Sequence, residues 1–143
     1  MTAPKVVIDT NVLVSALLKD NSLPAFILAL LREGMIIACI SKDILEEYKE
    51  VLKRDRFSAF KKDASLLLTS LKKKALLVEP KTRITVITAD PDDNMFLECA
   101  VEAGADFLIT GNTRHFPFRS YHNTLIVSPK EFIEGAAELF INW

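Results

Sequence analysis

Short apolar runs and stretches of helical period alternate along this chain from end to end, and that alternation restricts its fold more than any other feature. It is the pattern of an α/β layer with a mainly parallel sheet. The first strand is expected at Lys5 to Asp9, followed by a helix from Thr10 to Leu18 and a second starting near Ser22. Pro24 falls in the first turn of that second helix, where a missing N–H costs nothing, and Gly34 marks its end. Met35 to Ile40 is a continuous apolar run suited to a central strand, and Ser41 caps a helix over Lys42 to Lys53.

Farther along, Phe57, Phe60, Ala64, Leu67, Leu68 and Leu71 recur at helical spacing, so Arg56 to Lys74 reads as the second arm of a helical hairpin. Leu76 to Val78 and Thr85 to Thr88 are short strand candidates. A helix follows from Pro91 to Ala103, stopped by Gly104, and strands are expected at Asp106 to Thr110 and Thr124 to Val127. Ser128-Pro129-Lys130-Glu131 has the form of a capping box, which predicts the final helix.

A chain of 143 residues suffices for one domain with a substantial core, and no repeat or linker divides it. Half the residues are hydrophobic, yet no apolar run approaches the roughly 18 to 20 residues of a membrane span. Met1 to Lys5 lead straight into a strand without the apolar stretch of a secretory signal, so a soluble, cytoplasmic protein is expected. Cys39 and Cys99 lie singly in apolar segments and read as core residues. The net charge of -1 argues against bulk electrostatic capture of nucleic acid. Any nucleic-acid contact would have to be local, at clusters such as Lys72-Lys73-Lys74 or the group Arg114, His115, Arg119 and His122.

The chemistry resides in carboxylates. Asp9 closes the apolar run Val6-Val7-Ile8, where a buried strand meets solvent, and a carboxylate there is costly unless a cation compensates it. Its bland alternative is an N-cap on the helix that starts at Thr10. Glu47 borders the buried stripe of Ile44, Tyr48 and Val51, whereas Glu46 and Glu50 project to water. In Asp90-Pro91-Asp92-Asp93-Asn94, Asp90 serves as an N-cap, Asp93 shares a face with Leu97 and Ala100, and Asn94 points elsewhere. Asp93 is thus the acid chosen from this run, with Asp90 and Asp92 in reserve. Three acids from separate elements could hold Mg²⁺ or Mn²⁺ through oxygen and so hydrolyse phosphodiesters. No Ser-His-Asp set, P-loop or Rossmann fingerprint competes.

Four segments in register resemble the PIN-domain family: Val7-Ile8-Asp9-Thr10-Asn11-Val12-Leu13, Ser41 through Glu47-Tyr48, Asp90 to Asn94, and Ile109-Thr110-Gly111-Asn112. More narrowly they resemble its VapC-like bacterial and archaeal branch, the ribonuclease toxins of toxin–antitoxin systems. The resemblance implies a three-layer α/β/α fold with a small, mainly parallel sheet, all of residues 1–143 forming one PIN-like domain. It also implies a Mg²⁺- or Mn²⁺-dependent endoribonuclease that uses a metal-activated water, with Asp9, Glu47 and Asp93 as catalytic metal ligands and Asp90 in reserve. Asn11 and Thr110 match the family's supporting polar positions.

At the fourth acid, where many relatives read Thr-Gly-Asp, this chain has Asn112. The amide can ligate through oxygen or hold a water, but it removes a negative charge. A weakly catalytic module that binds RNA or protein is therefore the alternative. Arg114 and His115 are expected to meet RNA phosphate. The resemblance further implies a cognate antitoxin. The aromatic end Phe140-Ile141-Asn142-Trp143 suggests a homodimer.

Overall fold

The computed structural model describes residues 3–141. Six strands form one sheet: β1 (Lys5–Ile8), β2 (Ile37–Ile40), β3 (Leu76–Leu77), β4 (Phe107–Ile109), β5 (Ser120–Tyr121) and β6 (Thr124–Val127). Their order is β3-β2-β1-β4-β6-β5, and every pair is parallel except β5 with β6. Helices flank the sheet: α1 (Thr10–Leu18), α2 (Leu23–Arg32), α3 (Lys42–Leu52), α4 (Lys61–Lys74), α5 (Asn94–Ala103) and α6 (Pro129–Ile141). The mainly parallel sheet is the one the alternation predicts, and the three-layer α/β/α arrangement is the one the resemblance implies.

Strand order reverses between β1 and β4, since the chain builds outward from β1 to β2 and β3 before returning on the other side. A reversal of this kind leaves a crevice beyond the carboxyl ends of the two central strands. Asp9 follows β1 and Thr110 follows β4, so both lie at its floor.

The core forms where the apolar runs cross. Val6, Val7, Ile8, Leu108 and Ile109 are shut off from solvent, as are Cys39 and Cys99. Burial pushes the Cys39 thiol up to about 11 and the Cys99 thiol up to about 12, which keeps both as inert fillers. Phe132 of α6 meets Phe107 of β4 edge to face at 5.2 Å, docking the last helix on the sheet. The two expected serine caps, Ser41 and Ser128, are in place, and Ser22 caps α2 as well. Ser22 accepts from the N–H of Ala25 and Ser41 from that of Ile44, while Ser128 and Glu131 bond each other's backbone N–H at 3.1 and 3.0 Å.

Some expectations fail for identifiable reasons. Arg56 to Lys74 is not one helix: Asp55–Phe60 is a 3₁₀ turn and α4 begins at Lys61. Phe57 anchors that turn in the core, while Leu66 is left outside. Thr85 to Thr88 is not a strand, because side chains of α5 supply the backbone partners a neighbouring strand would have given. Glu98 accepts from the N–H of Ile84 at 2.8 Å. Asn94 accepts from the N–H of Ile87 at 2.9 Å and donates to the carbonyls of Ile87 and Pro91. Asn94 is therefore a buried strut, not a residue pointing elsewhere. The Pro91 helix opens as a 3₁₀ turn over Pro91–Asp93, and β5, which periodicity did not signal, pairs at the sheet edge. The aromatic end from Phe140 to Trp143, on which the homodimer expectation rests, lies outside the residues whose side chains are described.

Among the described residues no single helix is long and apolar enough to cross a membrane. The apolar pair α1 and α2 bends by 101° and packs together.

Asn94→Ala should leave the peptide groups of Ile87 without their partners, at a cost of about 2 to 4 kcal/mol. Urea denaturation should show that loss, and amide exchange should be fastest around Ile87. A change below about 0.5 kcal/mol would mean the strut carries no load.

Candidate metal centre

Asp9 has extended backbone angles at the head of α1, yet its side chain makes no capping bond to that helix. It turns toward β4, where Thr110 Oγ1, itself fully buried, donates to Asp9 Oδ2 at 2.7 Å. The Thr110 hydroxyl in turn accepts from the backbone N–H of Asn112 at 3.0 Å, so a short relay runs from the loop after β4 to the carboxylate. Asn11 clamps the same two elements: Nδ2 lies 3.5 Å from Asp9 Oδ2, and Oδ1 accepts from the N–H of Gly111 at 3.0 Å. A Cβ at Gly111 would stand 3.3 Å from that Asn11 oxygen, so a larger residue would crowd the clamp.

Glu47 comes from α3 and is half-buried, with Glu46 and Glu50 exposed as the periodicity implies. Thr10 donates its hydroxyl to Glu47 Oε2. One residue on, the buried Tyr48 hydroxyl donates to the carbonyl of Ile8. Two hydrogen bonds thus tie the helix bearing Glu47 to the strand end bearing Asp9. Sequence reasoning did not single out Thr10 or Tyr48. The available signal for Tyr48 was a hydroxyl inside an apolar stripe, which needs a buried partner.

Asp93 closes the Pro91–Asp93 turn and is buried, with 8% of its surface exposed. Asp90 is half-buried and accepts from the N–H of Asp92 as the cap of that turn, and Asp92 is exposed. His115 comes from a third 3₁₀ turn, Thr113–His115, held by its N–H to the Asn112 carbonyl at 3.0 Å. Asp90, Asp93 and His115 each offer one ligand atom, and these atoms all lie within 4.8 Å of one another. Asp9 and Glu47 join that triangle through the field rather than at this spacing. Arg114 is exposed on the same turn.

The field is one-signed. Burial raises the Asp9 carboxyl above its usual range, against the lowering effect of the Thr110 hydroxyl and of the nearby backbone N–H groups of Asn11 and Thr10, which face it without reaching capping geometry. Burial also raises Glu47, with further upward pressure from Asp9, Asp92 and Asp90. Asp93 is pushed up to about 7, first by burial and then by Asp9, Asp90, Glu47 and Asp92. Among the described residues no lysine or arginine forms an ion pair with any of these acids. A largely buried cluster of oxygen donors with no Lys or Arg pair among the described residues fits a hard divalent ion.

Fold and site together define a doubly wound α/β protein with a carboxylate centre at its switch point. The chain belongs to the PIN domain family, whose model matches residues 5–114. PIN domains are typically nucleases and generally use divalent metals. The chain is 35% identical over 141 residues to an uncharacterized protein of Methanocaldococcus jannaschii, covering 91% of this chain and 90% of that one. Its fold is similar to the crystal structure of VapBC2 from Rickettsia felis bound to a DNA fragment from their promoter. That match has a TM-score of 0.55 at 16% identity and covers 87% of this chain and 98% of that one.

Because these carboxyls are raised, the folded protein binds protons more tightly than the unfolded chain. For Asp93 the resulting stabilisation is complete below its ordinary value of 3.8 and is lost as pH rises through about 7. In chelator-treated buffer, stability to urea should therefore fall between about pH 4 and pH 7, and Asp93→Asn should flatten that slope. Stability that rises over this window would contradict the repulsive cluster.

Proposed function

We propose that the protein is a Mg²⁺- or Mn²⁺-dependent endoribonuclease of the toxin kind, with Asp9, Glu47 and Asp93 holding the metal and Asp90 in reserve. One observation carries this reading. Acids from the end of β1, from α3 and from the turn before α5 raise one another's proton affinity at the switch-point crevice, with no Lys or Arg ion pair to offset them among the described residues. Retaining such a cluster costs stability, which is expected of a site that awaits a cation. When bound, the ion supplies a Lewis acid that neutralises charge on a phosphoryl oxygen and makes water a better nucleophile at neutral pH.

The chain's own residues prepare for that. Thr110 and Asn11 fix the Asp9 carboxylate against β4, and Thr10 fixes Glu47, so oxygen donors are aimed before any ligand arrives. Asn112, whose backbone N–H bonds the Thr110 hydroxyl, would add an uncharged oxygen donor. Arg114, exposed and unpaired among the described ion pairs, is suited to an RNA phosphate, which keeps nucleic-acid contact local in a chain of net charge -1. A protein partner of the antitoxin kind belongs to the same reading, by likeness to VapBC2. The apolar groove between α2 and α4, where Phe26 and Leu66 are 51% and 60% exposed, is consistent with a protein partner.

Cleavage of single-stranded RNA in Mn²⁺ or Mg²⁺ should be abolished by EDTA. In Asp9→Asn it should fall by about 100-fold or more, since several kcal/mol of charge stabilisation is at stake. Cleavage that survives both would sink the assignment.

A second reading, a weakly catalytic module that binds RNA or protein, is favoured by the amide at Asn112. Its signature would be native protein that binds Mn²⁺ but leaves RNA intact, with cleavage appearing in Asn112→Asp.

A further inference from the structure

We propose that His115 is a nitrogen ligand of the metal centre, sharing the ion with Asp93 and Asp90, and that it biases the centre toward first-row transition ions over Mg²⁺. The inference rests on the reading of this crevice as a metal site. It departs from the expectation that His115 faces RNA.

Three observations converge on it. His115 Nδ1 is buried and has no hydrogen-bond partner, although the outer part of the ring reaches solvent. Such an atom is costly to leave unpaired and asks for an explanation. It lies 3.6 Å from Asp93 Oδ2, beyond hydrogen-bond length. Two donors each about 2.1 Å from one ion stand about 3.0 to 4.2 Å apart, so this gap has room for a cation shared between the two, where otherwise only a protonated ring would pair with the carboxylate. Asp90 completes the triangle, all three donor atoms lying within 4.8 Å of one another.

The turn Thr113–His115 explains how the ring gets there. It begins at Asn112, whose carbonyl accepts the N–H of His115, and it folds the chain back so that the imidazole faces the turn bearing Asp93. Where Asn112 withholds a carboxylate, His115 supplies a donor a few residues later. A neutral imidazole adds a ligand without adding negative charge to a cluster already strained by repulsion. Imidazole nitrogen is also a better donor to transition ions than to Mg²⁺, which prefers oxygen and retains its waters.

Mn²⁺ is the probe. Electron spin-echo envelope modulation of the native protein loaded with Mn²⁺ should show ¹⁴N coupling that changes on ¹⁵N-histidine labelling. The chain has two histidines, so the coupling should persist in His122→Gln and vanish in His115→Gln. Mn²⁺ affinity should drop about tenfold or more in His115→Gln, with a smaller change for Mg²⁺. Mn²⁺ bound in an Asp93-dependent way without nitrogen coupling would overturn the His115 assignment and leave the carboxylate centre standing. Failure of the native protein to bind Mn²⁺ at all would overturn both. The native measurement needs no variant, so a misfolded His115→Gln would not protect the proposal.

Discussion

A carboxylate buried at the end of the central strand is the feature around which the rest of the molecule is arranged. Asp9 has almost no solvent, and the groups nearest it in charge are other acids. It is held by the Thr110 hydroxyl from the neighbouring strand and by Asn11 from its own helix, while α3 is tied back to the same strand end through Tyr48 and Ile8. Each contact is an ordinary hydrogen bond. Together they immobilise two carboxylates that would otherwise swing apart to relieve their repulsion.

The cost of that arrangement is borne elsewhere. The sheet beneath the site is packed with Val, Ile and Leu that lose nearly all solvent contact, and α6 is fixed to it by the Phe107–Phe132 contact and a reciprocal cap. On the far side of α5, Asn94 and Glu98 use their side chains to hold the segment of Ile84 and Ile87 as a third β partner would. This strut sits one residue after Asp93. The helix that delivers an acid to the crevice is thus braced on its other face by the loop that leads into it.

How the acids differ also matters. Glu47 keeps partial access to water, Asp9 is spoken for by Thr110, and Asp93 lies against its neighbours with its carboxyl pushed up to about 7. Asp93 is consequently a group whose charge changes near neutrality. A cation arriving in the crevice would displace a proton there.

Much of this was legible in the residues. Periodicity and caps located β1, α1, α3 and α6 because these signals are local: an apolar run, a serine before a helix, a glutamate three residues on. Asp9, Glu47 and Asp93 each have a bland alternative as a cap or a half-exposed surface acid, and stand out because all three come at the borders of apolar segments. The sequence could not reveal that Thr85 to Thr88 would be satisfied by side chains, or that Asn94 would be the buried strut, since both depend on a partner reached through tertiary packing. Nor could it reveal that His115 turns inward while Arg114 turns out, because a short 3₁₀ turn has no periodicity of its own. The sequence by itself determined which residues are charged, which apolar stripes can form a core and in what order the elements come. Only the tertiary structure decided which charges face one another, because repulsion and hydrogen bonding act through distances that chain position does not set.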